Sequence, residues 1–205
     1  MIGRVGEAVV AASLVLLAGC TSHHARSPAG GSAPDAAGTT TRSELVAKAH
    51  LDPCPPSTQA HPSHALPALS LPCLGTGPSV HLSGLSGVPT VVNVWGSWCG
   101  PCQAETRYLS TVYDGAKPRV RFLGVDTEDD PDSALDFAAH VSPPMRYPQV
   151  VDKDKAFLIA LHLPSAVPTT VFVTAAGRVV HVQPGPYRSA AALRADIHRY
   201  LGVAV

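Results

Sequence analysis

Apolar positions change period several times between residues 79 and 202, and each change marks an element. Residues 79–85 alternate weakly up to Gly87, a short leading strand. Residues 90–95, Thr-Val-Val-Asn-Val-Trp, form a β-branched run that reads as a buried strand. From about residue 99 to residue 113 the pattern predicts a helix that stops before Asp114-Gly115. Residues 119–125 give the next strand, with Val120, Phe122, Leu123 and Val125 apolar. Residues 131–141 open with Pro131 and place Leu135, Ala138 and Ala139 at helical spacing; residues 153–162 give a second short helix. A strand at 169–174, a turn at Ala176-Gly177 and a strand at 178–183 predict a hairpin. Ser189 caps a last helix with the stripe Leu193, Ile197, Tyr200 and Leu201, closed by Gly202. The order strand–helix–strand–helix–helix–strand–strand–helix predicts an α/β fold. Its central mixed sheet has parallel early strands, an antiparallel hairpin, and helices on both faces.

Upstream the periodicity disappears. Arg4, then an uncharged apolar run at 8–18, reads as a signal segment, too short for a membrane span of ~20 residues. The run ends Leu17-Ala18-Gly19-Cys20, which resembles the bacterial lipobox and marks Cys20 for acylation. Residues 1–19 are therefore expected to be a lipoprotein signal peptide. Residues 20–48, rich in Ser, Thr, Gly, Ala and Pro, are expected to be a flexible tether. Residues 49–77 form a Cys-containing extension, and 78–205 the folded domain. His23 and His24 read as solvated linker residues.

Charge excludes one class of partner. Fifteen basic and fifteen acidic residues give a formal net charge of zero, with no basic block to neutralise phosphates, so nucleic acid is not an expected partner. The cysteines add a constraint. There are five, and acylation of Cys20 leaves four for two pairs. Cys99–Cys102 with Cys54–Cys73 is the most economical of the three connectivities. The stretch between Cys54 and Cys73 is rich in Pro, Ser and His and cannot build a core, so that pair reads as structural, with a second redox pair as the rival. Four-thiolate zinc would need a second close-spaced pair, and no metal is expected.

Cys99-Gly100-Pro101-Cys102 lies where a strand runs into a helix. Free backbone N–H groups and the positive helix end favour a thiolate there, which makes Cys99 the nucleophile. Cys102 is within disulfide reach and resolves the mixed disulfide. Pro101 suits a first helical turn. Gln103 stands where haem attachment would need His. Asp126, Glu128, Asp129 and Asp130 read as a solvated acidic loop leading into a helix.

The stretch Trp95-Gly96-Ser97-Trp98-Cys99-Gly100-Pro101-Cys102-Gln103-Ala104-Glu105 resembles the thioredoxin superfamily, and within it the ResA/TlpA-like branch of membrane-anchored extracytoplasmic reductants. Cys54 and Cys73, with Leu71-Pro72-Cys73-Leu74-Gly75, resemble an extension of actinobacterial members. The resemblance implies a thioredoxin-like fold and a thiol–disulfide oxidoreductase with no cofactor beyond the Cys99–Cys102 disulfide. It implies that Glu105, one turn beyond Cys102, tunes the buried thiol, against the plainer reading of a solvated first-turn acid. It implies a cis Pro168, with the Val167 backbone left free for substrate. Trp98, Gly100 and Pro101 would shape the surface around Cys99. The expected partners are an exported protein disulfide, with apocytochrome c first, and a membrane thiol as electron donor; the protein itself is expected to be a monomer. An exported oxidase or isomerase, and a non-catalytic metal-carrying or interaction lipoprotein, remain open as alternatives.

Overall fold

Thr41 and Glu44 close a reciprocal capping box, and the helix it starts, α1 (Arg42–Ala49), buries Leu45 and Ala49. This helix starts inside the tether expected for residues 20–48 and runs one residue past it, which moves the start of the folded part back to the Thr41 cap. Thr-x-x-Glu followed by Leu45 was the sequence signal, but a single helix turn pattern in a Ser/Ala-rich stretch has little periodicity. α1 packs on α3 (Pro131–His140), with Arg42 paired to Asp132. The computed structural model describes residues 40–58 and 66–205. The apolar run at 8–18, Cys20 and the tether up to residue 39 lie outside the described residues.

Five strands form one sheet in the order β5-β4-β3-β6-β7. The central strand β3 (Thr90–Trp95) is buried at every position, as expected for a strand covered on both faces. It runs parallel to β4 (Arg121–Thr127), which is parallel to β5 (Gln149–Asp152). On its other side β6 (Thr169–Val173) is antiparallel and turns back into β7 (Val179–Pro184). Helices α2 (Gly100–Ala116), α3 and α5 (Ala190–Asp196) pack on one face with α1. The last helix continues through a wider π turn at Ile197–Leu201 and ends at left-handed Gly202. Helix α4 (Ala156–Ala160) and the N-terminal extension cover the other face, where Leu71, Val80, Leu82 and Leu85 join Val92, Val94 and Leu158. The mixed sheet with helices on both faces is therefore as the pattern predicted.

Three local expectations change. The leading strand at 79–85 shrinks to β2 (Val80–His81), paired with β1 (Ser70–Leu71), and then tightens into a 3₁₀ turn at Leu82–Gly84. Helix α2 does not stop at Asp114-Gly115 but runs to Ala116, because Tyr113 and Ala116 are buried against the core. Strand β5 went unread. Its four residues begin and end with polar side chains, and both are buried for local reasons. The Gln149 amide accepts from Trp95 Nε1 at 2.8 Å and donates to Tyr147 O at 3.0 Å. The Asp152 carboxylate accepts from Ala156 and Phe157 N–H, each at 2.9 Å, and so starts α4.

The extension is stapled by Cys54–Cys73, with Cα atoms 6.0 Å apart. Cys73 bridges Val150 in antiparallel fashion, Leu74 N donates to Gln149 O at 2.8 Å and Val151 N donates to Pro72 O at 2.9 Å. The segment thus lies along the outer side of β5 and covers an edge that would otherwise expose unpaired backbone groups. Its place along the sheet edge, paired by backbone to β5, suits a structural bridge. Replacing both Cys54 and Cys73 by Ser should lower the unfolding free energy by about 3 kcal/mol, the chain-entropy value for a loop of this length. Denaturant titration of the two proteins under non-reducing conditions measures it.

Candidate active site

The site begins where β3 ends. The chain turns through Gly96, Ser97 and Trp98, and Cys99 becomes the N-cap of α2. A Cβ on Gly96 would meet Trp98 Nε1 at 2.5 Å, so the glycine lets the indole fold back over the turn. Trp98 Nε1 then donates to Thr127 O at 3.3 Å, while the side chain stays 54% exposed. Ser97 is tied from both sides: its N–H donates to Asp129 Oδ2 at 2.5 Å, and its carbonyl accepts from Gln103 Nε2 at 2.6 Å. The loop that presents Cys99 is thus held by β4, by the segment after it and by α2.

Cys99 and Cys102 are joined in a disulfide with Cα atoms 5.2 Å apart. Cys102 N donates to Cys99 Sγ at 3.2 Å, a backbone amide of the first helical turn aimed at the sulfur. Cys102 is more deeply buried, at 1% exposure against 5% for Cys99. Gly100 and Pro101 are exposed between them.

Glu105 is not a solvated first-turn acid. It is 1% exposed, and its carboxylate accepts two hydrogen bonds at 2.8 Å, from Asn93 Nδ2 on β3 and from the Tyr187 N–H before α5. Burial raises its pKa to about 7, against the opposing pull of those two bonds. The Asn93 amide also donates to Thr170 Oγ1 at 3.3 Å, so one polar chain joins α2, β3 and β6 beneath the cysteines.

The Val167–Pro168 peptide is cis, as expected, and so are Lys117–Pro118 and Ser142–Pro143. The register explains where Pro168 stands. Val94 pairs with Thr169, so Pro168 lies one step beyond, level with the end of β3 that leads into the Cys motif. Pro168 O accepts from Gly185 N at 2.9 Å, whereas among the described residues Val167 takes part in none of the backbone hydrogen bonds outside the helices and strands.

Asp126 corrects the acidic-loop reading. It belongs to β4, beside Trp95 in the register, and is 1% exposed with neither carboxylate oxygen bonded among the described residues. Burial first, then the charges of Asp129 and Asp130, push its pKa up to about 8. Asp130 caps α3, and Glu128 pairs with Lys155 at 2.8 Å. Sequence reasoning missed Asn93 and Gln149. The only signal for Asn93 was a polar residue inside an otherwise apolar strand. Gln149 needs Gly124 beside it: a Cβ there would meet Gln149 Oε1 at 1.7 Å.

Among known proteins, the chain is 31% identical over 110 residues to the thiol-disulfide oxidoreductase ResA of Bacillus subtilis, covering 53% of this chain and 60% of that protein. It is 33% identical over 95 residues to the thiol:disulfide interchange protein DsbE of Haemophilus influenzae, covering 46% of this chain and 49% of the other. It therefore spans less than two thirds of the length of these curated relatives. A solved DsbF homologue from Corynebacterium diphtheriae superposes with a TM-score of 0.58 at 26% identity, covering 65% of this chain and 85% of that one. The Redoxin family model matches residues 58–197, a stretch that holds Cys73, the Cys99–Cys102 pair, Glu105 and Pro168, and the chain belongs to the Redoxin family.

Proposed function

We propose that this protein is a thiol–disulfide oxidoreductase that reduces disulfides in exported polypeptides and is held outside the cytoplasm by acylated Cys20. The observation that carries this reading is the Cys99–Cys102 disulfide at the N-terminus of α2, above the buried Glu105 carboxylate. In the reduced protein the Cys99 thiolate, favoured by the Cys102 N–H, attacks one sulfur of the substrate disulfide. The other substrate sulfur leaves as a thiolate and takes a proton. Cys102 then gives its proton to Glu105, whose raised pKa suits an acceptor near neutrality, and attacks Cys99 Sγ. The second substrate sulfur leaves, and two electrons have passed to the substrate as the Cys99–Cys102 bond re-forms. A membrane dithiol donor returns the pair to the reduced state. The Val167 backbone, beside the same strand end, pairs with the substrate peptide in this reading, which its absence from the backbone hydrogen bonds among the described residues supports. Resemblance to the ResA/TlpA-like branch makes apocytochrome c, which carries a haem-binding Cys pair, the substrate class proposed first.

The direction of electron flow is tested by the reduction potential of the Cys99–Cys102 couple in glutathione or dithiothreitol buffers. A reductant is expected at or below about −200 mV, in the range from glutaredoxins to thioredoxin. A value near the about −120 mV of a strong oxidant would overturn the proposed direction and favour an oxidase.

A further inference from the structure

Two cavities flank the first turn of α2, and their charges are opposite. On one side Pro101, Arg107 and Tyr108 of α2 face Pro186, Tyr187 and Arg188 of the loop before α5, around a cavity of about 450 Å³. On the other side Ser97 and Gln103 face Asp130 and Asp136 on α3, around about 590 Å³. In the chain Cys99, the N-cap of α2, falls between Ser97 of one lining and Pro101 of the other.

The two sides differ in how their charges are satisfied. On the acidic side the carboxylates have partners within the chain. Arg42 pairs with Asp132, His140 lies 3.3 Å from Asp136, and Asp130 accepts from Ser133 N at 3.2 Å. On the basic side Arg107 donates to Tyr108 Oη at 2.8 Å and stacks over that ring at 4.7 Å, but neither Arg107 nor Arg188 forms an ion pair among the described residues. Both arginines are exposed. The Tyr108 contact fixes Arg107 against the cavity wall and leaves guanidinium N–H groups for an anion. The opposite wall is fixed too, because Tyr187 N donates to buried Glu105. Because the chain carries no formal net charge, any charge preference at Cys99 must arise from these local walls rather than from an overall field.

We propose that the cavity between Arg107 and Arg188 takes an acidic side chain of the substrate polypeptide, close to the disulfide presented to Cys99. Across the helix the carboxylates are already paired and offer an acidic side chain no matching cation, so the pair of cavities also sets which way the peptide crosses the site. The inference rests on the thiol–disulfide reading above and narrows its substrate class to disulfides with acidic flanks.

The test uses the full chain, pre-reduced, in single-turnover reactions with three synthetic peptides. Each carries the same Cys-x-x-Cys disulfide and differs only in a flanking Glu-Glu, Gln-Gln or Lys-Lys. Rates are divided by each protein's own rate with uncharged 2-hydroxyethyl disulfide. The acidic peptide should be reduced about tenfold faster than the neutral one at low salt, and the basic one slowest, with the spread shrinking as salt rises. In the Arg107→Gln/Arg188→Gln double variant the acidic-to-neutral ratio should fall to within about twofold of unity, and Arg107→Lys/Arg188→Lys should keep part of the preference. Equal rates on all three peptides, or a preference that survives the Gln variant, would overturn the inference. The peptide ranking and its salt dependence are read on the unaltered chain, so they decide even if a variant does not fold. No reaction of the unaltered chain with 2-hydroxyethyl disulfide would instead overturn the oxidoreductase reading, and the inference with it.

Discussion

Replacing Cys102 by Ser should arrest the protein as a mixed disulfide with its substrate through Cys99, and replacing Cys99 by Ser should lower turnover by at least roughly 10³-fold. The asymmetry between the two cysteines is structural. Cys99 is the N-cap of α2, outside the helical turn, with the Cys102 N–H at 3.2 Å from its sulfur. That donor and the helix end stabilise the anion at Cys99. Cys102 is inside the helix and 1% exposed, less accessible than Cys99 at the helix end. With Ser at 102 the first attack proceeds and the second has no thiol, so the covalent intermediate accumulates. Non-reducing gels and mass spectrometry of the captured complex read the linkage. Capture through Cys54 or Cys73, or unimpaired turnover by Cys102→Ser, would overturn the assignment. So would a Cys99→Ser protein that still forms the mixed disulfide through Cys102.

The motif itself was legible because its residues are contiguous. A strand, a turn and a helix start were all within a short stretch, and Cys99, Pro101 and Cys102 each have a local reason to be there. The supporting shell was not legible, because its members come from separate parts of the chain. Glu105 was placed near the pair by resemblance, but nothing local could show that Asn93 and the Tyr187 N–H meet its two oxygens. Asp126 was misread because Glu128, Asp129 and Asp130 follow it. Only the pairing of β4 with β3 separates one buried carboxylate from three nearer the surface. Strand β5 was lost for a related reason: Gln149 and Asp152 look like loop residues until Trp95 and the start of α4 supply their partners. Helix α1 shows the opposite case, where a local signal was present in Thr41 and Glu44 but carried too few apolar positions to stand out.

Asp126→Asn should raise stability at alkaline pH by on the order of 5 kcal/mol and leave it nearly unchanged near pH 4. The sign follows from protons. The carboxyl of Asp126 titrates at about 8 in the folded chain, against an ordinary value of 3.8. Between those limits the folded form holds a proton that the unfolded chain has released, so stability falls as pH rises, by up to about 1.4 kcal/mol per pH unit. The stabilising contribution is complete below the unfolded value and lost as pH passes the folded one. Asn keeps the shape, has no proton to lose, and leaves no buried, unpartnered anion beside Trp95. Glu105→Gln is the control with the other sign. Its carboxylate accepts from both Asn93 Nδ2 and Tyr187 N, and an amide offers only one acceptor, so one buried donor is stranded. That variant should be less stable by about 1–3 kcal/mol at pH 4, and the loss should shrink as pH rises past about 7, because the ionised Glu105 carboxylate also costs the folded state. Denaturant titrations of the three proteins at pH 4, 7 and 9 measure both effects. If Asp126→Asn shifted stability equally at every pH, the buried carboxylate beside Trp95 would not be titrating with folding.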